Sequence, residues 1–582
     1  YTPIYQANPQ NNPQEAIDQV SVTVNNAKVY STSKNIVWSA NRKITLNGGI
    51  YNMNPSAYAA EGKVVVANKG ADAETYPWTI GTKDADVTFA TEGAWNVAGN
   101  WSNSTMATAA TSATIDANVT IGNGVRAEAY GIKVNTGKTI TIEKGGVLVV
   151  GKDGISGITT ANQLIIKDGG ALVFSPVAAV ANTQPKATAE IETTIRDAKT
   201  DYAAGNTTYE YIWKNVALPM QAGYTLDPKG TLTVNKWNNG WGDADEFGTP
   251  FTGYHITINP ADPRPNATYT FTGNLNGNVD IDLTMPRNGF HLFGNSWSAP
   301  LDVREILNQI EHFTDSKVNA SVKYYISDKC TLGGKQYFDG TYVDITRASL
   351  AADAGFAGAF GTIGAHDCFF LQSASSATVS LNYEKAVWNV MLAKKSSAPR
   401  RVQAEEEETT RVEVLLTADN GRWDNVLLYE GESLCSQKML NEGAANVNIY
   451  ATTMEGNCST VGAESLLGTE LAIQTNGRSV YTLSFDKVQG EVLYLKDLVT
   501  GIVTEMSDGA TYTFTAEPNT TATRFRIVSR SEVTTGVDDL TPATGAAAKG
   551  IYSVTGQYLG TADQLPTLPA GVYIINGKKV VK

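Results

Sequence analysis

A short phrase recurs in the first third of this 582-residue chain and limits what it can become. Ile140-Thr141-Ile142-Glu143-Lys144-Gly145-Gly146-Val147-Leu148-Val149 is followed, 24 residues on, by Leu164-Ile165-Ile166-Lys167-Asp168-Gly169-Gly170-Ala171-Leu172-Val173. An earlier echo is Ile44-Thr45-Leu46-Asn47-Gly48-Gly49-Ile50. Each copy is two apolar, β-prone runs joined by paired glycines, which supply a corner where the backbone turns sharply. A period of this length matches one coil of a β-solenoid, whose short rungs stack in parallel. The competing arrangement is a hairpin-built β-sandwich.

Composition extends the β reading to the rest of the chain. Charged residues are only 18%, glycines number 53, and Thr, Asn, Ala and Val are frequent, as in all-β extracellular proteins. The length suits about three to five domains. A net charge of −13 argues against nucleic acid as a partner, because phosphate binding needs basic patches. No apolar run reaches the roughly 18 residues of a membrane helix. The chain begins at Tyr1 without an h-region, and the expectation is a mature form from which a signal peptide has been removed.

In order, residues 1–28 form a polar extended arm, and 29–208 the solenoid-like region, with 177–208 a charged, Ala- and Thr-rich connection. Residues 209–393 alternate as an antiparallel β-sandwich with one helix over 301–313. Asp302 caps that helix, Glu305 completes a capping box, and Val303, Ile306, Leu307 and Ile310 form its apolar stripe. The stretch 394–411, KKSSAPRRVQAEEEETTR, is a charged linker, so the domains on either side are expected to fold independently. Seven strands over 412–530 suit an immunoglobulin-like or jelly-roll sandwich. A linker over 531–548 precedes a terminal domain over 549–582. The fold class is all-β and multidomain: a β-solenoid-like or β-sandwich region, then antiparallel β-sandwiches, then a small C-terminal β-sandwich.

Chemistry is sparsely signalled. His255, His291, His312 and His366 stand alone, without HxH or HExxH spacing, and read as packed or surface residues. Cys330, Cys368, Cys435 and Cys458 have no CxxC spacing; the most local disulfides are Cys435 with Cys458 and Cys330 with Cys368. Asp116, Glu143, Asp153 and Asp168 near the rungs read as solvated turn residues. The candidate ligand or glycan residues are Trp237 and Trp241, exposed aromatics able to stack on sugar rings. Asp243, Asp245 and Glu246 beside them in a Gly-rich loop are a calcium candidate. No other cofactor is indicated, and no residue is nominated as catalytic.

The last stretch carries a resemblance. Ile551-Tyr552-Ser553-Val554-Thr555-Gly556-Gln557, then Leu568-Pro569-Ala570-Gly571-Val572-Tyr573, then Asn576-Gly577-Lys578-Lys579 closely resemble the C-terminal sorting domain of proteins exported by the type IX secretion system of the Bacteroidetes. Asn576-Gly577 is also a type I′ hairpin signal in its own right. Val572 and Ile574 alternate with Tyr573 and Ile575, apolar on both faces, so the strand wants cover on both sides. The resemblance implies that Ile551, Tyr552, Gly556, Leu568, Pro569, Gly571, Val572, Tyr573, Asn576, Gly577, Lys578 and Lys579 form the sorting signal read by the outer-membrane translocon and attachment machinery. Asn288-Gly289-Phe290-His291-Leu292-Phe293-Gly294-Asn295-Ser296-Trp297 is similar to a segment common in large Bacteroidetes surface proteins, with Ser296 where those usually have Pro. The resemblances imply an export route and a surface-protein scaffold; for the chain as a whole the expected function is a non-enzymatic, cell-surface structural or adhesive protein (layer, filament or matrix component), with copies of itself, other surface proteins or glycans as candidate partners. The alternatives are a carbohydrate-binding or polysaccharide-cleaving surface protein, and a cargo whose main interaction is with the translocon.

Overall fold

A computed structural model describes residues 4–5, 21–32, 37–38, 43–73, 75–176, 185–201, 206–227, 232–244, 247–258, 266–312, 318–391, 409–533, 550–553, 558–575 and 578–582. The chain is all-β and multidomain, and the solenoid is present. One face stacks Val87–Phe89, Ser112–Ile115, Arg126–Val134, Val147–Ser156 and Ala171–Phe174 as parallel neighbours. The other stacks Gly93–Ala94, Val119–Ile121, Ile140–Ile142, Leu164–Ile166 and Lys186–Asp201. The two long copies of the repeat are adjacent coils, with Ile140 opposite Leu164 and Val147 opposite Ala171. Ile121, Ile142, Ile166, Leu148 and Leu172 point inward with no exposed surface, because alternate residues of each rung face the same interior.

The paired glycines have separate tasks. Gly145 and Gly169 both take φ of 76°, and their turns stack, with Gly145 N–H donating to the Gly169 carbonyl at 2.9 Å. At Gly146 the constraint is space, since a Cβ there would lie 2.3 Å from the Ile121 carbonyl oxygen of the coil below. The earlier echo is also a coil: Ile44 lies beside Val22 and Ile50 beside Lys28, in parallel register. It belongs to a separate stack that turns antiparallel, Gly49–Tyr51 pairing with Trp78–Thr82. Of the arm, Ile4–Tyr5 pairs with Val37–Trp38 and Ser21–Val24 joins this stack; most of the rest lies outside the described residues.

The expected boundary at 208/209 is crossed by a sheet. Lys186–Asp201 pairs antiparallel with Asn266–Asn274, which pairs with Thr225–Asp227. The solenoid interior accordingly continues into Val216, Ile256, Tyr269 and Phe271 as one apolar cluster. A second cluster joins Leu46, Tyr51 and Trp78 of the first stack to Trp297, Ile306, Val379 and Tyr383. Burial shared in this way ties the regions more firmly than a linker does.

The helix forms at Val303–His312, with Val303, Ile306, Leu307 and Ile310 buried as the stripe requires. Asp302 caps it by accepting the Arg304 N–H at 2.9 Å. The capping box is corrected: Glu305 Oε1 instead accepts from Gln309 Nε2 at 2.8 Å, and burial pushes the Glu305 carboxyl up. "One helix" is corrected too. Arg347–Ala352 and Ala354–Phe360 are capped by Thr346 and Asp353, whose side chains accept the Ser349 and the Gly355 and Phe356 N–H groups. Tyr383–Met391 is a further helix whose β-branched and aromatic residues resemble a strand until packed against Trp297, to which Tyr383 presents its ring edge-on at 5.2 Å.

The last large region holds eleven strands rather than seven. Leu434–Gln437, Gly456–Ala463, Glu470–Gln474 and Val503–Glu505 are the additions. The strand path curls back on itself, so that Thr511–Thr515 at one end meets Tyr494–Asp497 near the other. Tyr512 donates its hydroxyl to Asp497 Oδ2 at 2.8 Å, and Arg524 pairs with the same buried carboxylate at 2.9 Å.

Cys435 and Cys458 form a disulfide between neighbouring strands. The Cys330–Cys368 pairing is corrected, as both thiols are free. Cys368 packs with Leu292, Tyr342 and Phe370 in one cluster, whereas Cys330 packs against the cluster that contains Tyr337 and Phe360. Replacing Cys435 and Cys458 with serine together is expected to cost about 3 kcal/mol, read from the urea midpoint under oxidising conditions. The same pair of changes at 330 and 368 should leave the dependence of stability on reductant unaltered.

The charged stretch does not separate free-standing domains. Lys323, in the middle region, is buried with 2% of its side chain exposed and donates to Asp344 Oδ1 (2.5 Å), Ser436 Oγ (2.7 Å) and Ser459 Oγ (2.9 Å). Asp344 also accepts from Thr460 Oγ1 at 2.7 Å. The two serines and the threonine belong to the C-terminal sandwich, so this junction is a saturated polar core. The part of the stretch at 392–408 lies outside the described residues.

Candidate functional site

The Trp237 and Trp241 expected as an exposed stacking platform instead face each other across a hairpin, Leu232–Trp237 with Trp241–Ala244. Their rings meet edge to face at 5.0 Å, and both are half-buried. Each indole N–H is occupied: Trp237 donates to the Phe290 carbonyl at 2.8 Å and Trp241 to Glu442 Oε1 at 3.2 Å. One face of Trp241 stacks on His255 at 4.1 Å, and His255 in turn stacks on Trp213 at 4.9 Å. Burial pushes the His255 imidazole down to about 3, so the ring is a neutral packing plate near pH 7. The pair therefore anchors its hairpin to the middle region on one side and to Glu442 on the other.

That anchoring places the hairpin tip. Asn238 and Asn239 accept hydrogen bonds from the two terminal nitrogens of Arg287, beside an open groove of about 570 Å³ that Asn238 and Arg287 help to line. Trp237 lines this groove together with Lys236, Phe251, Asp282 and Thr284. Neither Arg287 nor Phe251 is signalled by the sequence. The one trace is the Arg287-Asn288-Gly289 turn, where Gly289 has φ of 124° and a Cβ would lie 2.6 Å from Asn239 Oδ1.

Of the calcium candidates, Asp243 is exposed on the hairpin, while Asp245 and Glu246 lie outside the described residues. Among the described residues no group of three or more His, Cys, Asp or Glu is placed to hold a metal ion. His291 and His366 are packed, as His255 is, and the His366 imidazole is pushed down to about 4 by burial. Asp168 is not a free turn residue, since it pairs with Lys214 at 2.6 Å.

A second, narrow cleft lies where the sandwich meets the middle region. Glu413 Oε2 there receives both Lys335 (3.2 Å) and Lys487 (3.1 Å). Lys487 has φ of 56° and sits at a β-bulge opposite Arg411–Glu413, which turns its side chain inward. Burial alone would push the neighbouring Asp353 carboxyl up, but the Phe356 and Gly355 N–H groups and Lys487 hold it below the usual range. These charges satisfy one another, so the cleft works as a latch between two regions.

The residues expected to form a sorting signal lie, where described, in or beside a four-stranded antiparallel sheet ordered Tyr558–Gly560, Ile551–Ser553, Val572–Ile575, Lys578–Val581. Ile575 lies opposite Lys578, which leaves a two-residue connection, while Gly556, Asn576 and Gly577 are outside the described residues. Among the described residues of 550–582, where a small β-sandwich was expected, these four strands make one sheet. Ile551 and Tyr573 are buried, whereas Val572, Ile574 and Ile575 are half-buried. Tyr573 donates its hydroxyl to the Pro569 carbonyl at 2.6 Å, and Gly571 exchanges backbone hydrogen bonds with Lys582. Leu568 and Pro569 lead into the sheet, and Tyr552 lies opposite Ile574, itself opposite Lys579.

Residues 88–528 match one protein family, described as a domain of unknown function (DUF8693). The chain belongs to this family. The DUF8693 span opens within the first solenoid strand and closes at the last strand of the sandwich, so solenoid, middle region and sandwich recur together. That agrees with the cores and the junction that join them. The terminal sheet lies outside the DUF8693 span. No curated protein and no solved structure matches the chain. Among the described residues no helix is long and apolar enough to cross a membrane.

Proposed function

We propose that this chain is a non-enzymatic cell-surface protein of structural or adhesive kind, a layer, filament or matrix component, exported by a Bacteroidetes type IX secretion system. The observation that supports export is that the segment resembling a sorting domain forms its own sheet, outside the family span and beyond residues 534–549. A separately folded terminal address is what a translocon can read without unfolding its cargo. The translocon and attachment machinery would be its first partners and copies of the chain its later ones. Support for structural work comes from solenoid and middle region sharing apolar cores, and from the sandwich, which has a core of its own, being locked to the middle region by Met439 and the Lys323 junction.

The test is delivery in a type IX-competent host carrying a secretion leader. The full chain should become accessible to added protease on intact cells, and a chain ending after Ser529 should remain in the periplasm. Equal surface exposure of the two would overturn the export reading. Light scattering of gently stripped material reads the structural part, for which assemblies are expected and a uniform monomer would count against it. The glycan-binding reading is kept beside it because of one observation, the groove at Arg287.

A further inference from the structure

The groove beside the tryptophan hairpin carries features that packing does not require. Phe251 has φ of 63°, a left-handed conformation in which a bulky residue is a true outlier. It is held there by Ser296 Oγ, which accepts its N–H at 2.7 Å, and by an edge-to-face contact with Trp297 at 5.4 Å. Strain of this kind persists where the surroundings over-determine it, often at ligand clamps.

Arg287 is fixed at both ends. Its carbonyl accepts from Ser373 Oγ and from His291 Nε2, each at 2.8 Å, and its guanidinium is oriented by the Asn238 and Asn239 carboxamides. Both guanidinium partners are neutral, so the charge is aimed without being cancelled. Lys236 lines the same groove and is exposed, and among the described residues neither cation is ion-paired. The one acid in the lining, Asp282, accepts from Ser380 Oγ. On a chain with net charge −13, a groove lined by two cations against the single carboxylate of Asp282 is net positive, so it runs against the overall field and attracts anions locally.

We propose that this groove binds an acidic oligosaccharide, with Arg287 and Lys236 taking its anionic groups while Trp237 and Phe251 pack against its rings. A pre-aimed guanidinium loses little entropy on binding and can present paired donors to a carboxylate or sulfate. Aromatic walls supply the apolar contact that a sugar face needs. The inference rests on the adhesive reading and names its ligand class.

The experiment titrates the purified full chain calorimetrically with an oligogalacturonate, a sulfated heparin oligosaccharide, a neutral xylo-oligosaccharide and a poly-glutamate peptide, at low and high salt. Binding by either acidic sugar, at least about tenfold tighter than by the neutral sugar or the peptide and weakened by salt, is expected. Binding of the oligogalacturonate shows that a carboxylate suffices, whereas binding of the heparin oligosaccharide alone, which carries both groups, identifies sulfate. Arg287→Gln should weaken binding about tenfold or more, and Lys236→Gln by several-fold. Lys236 is exposed, so its variant keeps the test sound should Arg287→Gln disturb the hairpin. The proposal is overturned by no acidic sugar binding, by equal binding of the neutral sugar or the peptide, or by affinity unchanged in both variants. Surface delivery is scored on cells independently, so a delivered protein without acidic-glycan binding removes this inference and leaves the export reading standing.

Discussion

Lys323→Ala is expected to destabilise the protein by about 3–5 kcal/mol, because it strands the Asp344 carboxylate in the junction without its cation. The geometry leaves no easy relief: the ammonium makes three hydrogen bonds, and each serine it meets also donates to Asp344. A water replacing the ammonium brings no charge. Exchanging both partners, Lys323→Met with Asp344→Leu, should cost much less than the single change, since no uncompensated ion remains. Denaturant unfolding of Lys323→Met, Asp344→Leu and the double closes that cycle, and a loss in the double equal to the sum of the two single losses would show that the charges do not act as a pair.

The same junction sets an acid limb. Burial by itself pushes the Asp344 carboxyl up, but Lys323 and the hydroxyls of Thr460 and Ser436 hold it below the usual carboxylate range. A carboxyl whose folded value lies below its unfolded one binds fewer protons in the native state. Its contribution is therefore complete above the unfolded value and is lost as pH falls through the folded one. In Asp344→Asn this part of the acid dependence should be missing.

Gly146→Ala is the second large effect, about 3 kcal/mol, and it tests the solenoid directly. The added methyl would meet the Ile121 carbonyl oxygen at 2.3 Å, with the Gly122 and Glu143 carbonyl oxygens at 3.1 Å. All three are backbone atoms of packed turns, so the rungs must separate and lose contact between Ile121, Ile142 and Leu148, which have no exposed surface. Gly137→Ala is a useful contrast: φ there is 74°, but nothing lies within 4 Å of the added methyl. Its cost comes from conformation alone and should stay near 1 kcal/mol. Thermal melts of the two variants against the parent separate crowding from backbone preference.

Local structure is encoded by particular residues. The 24-residue offset between the two Gly-Gly copies is one coil, and the stripe Val303, Ile306, Leu307, Ile310 is the buried side of its helix. Caps at Thr346 and Asp353 were present in the sequence as well, but short helices between strands are masked by the surrounding alternation. Two of the added strands of the sandwich, Leu434–Gln437 and Gly456–Ala463, are hidden in the sequence because Ser436, Gln437, Asn457 and Ser459 are polar. Their neighbours and the disulfide order them.

The candidate site was legible only as two tryptophans. The sequence put them in one Gly-rich loop, which folds as a hairpin, yet whether an indole faces a sugar or a neighbouring ring depends on Phe290, His255 and Glu442, which lie in other segments. Arg287 reaches Asn238 and Asn239 from nearly fifty positions away, and Lys323 reaches Ser459 across 136. By itself the sequence determined the all-β class, the solenoid period and the residues of the terminal hairpin, because backbone preference and alternation act over a few neighbouring positions. Only the tertiary structure decided which regions share a core, which cysteines pair and where the uncancelled cations lie, because those depend on distances between segments that no local pattern encodes.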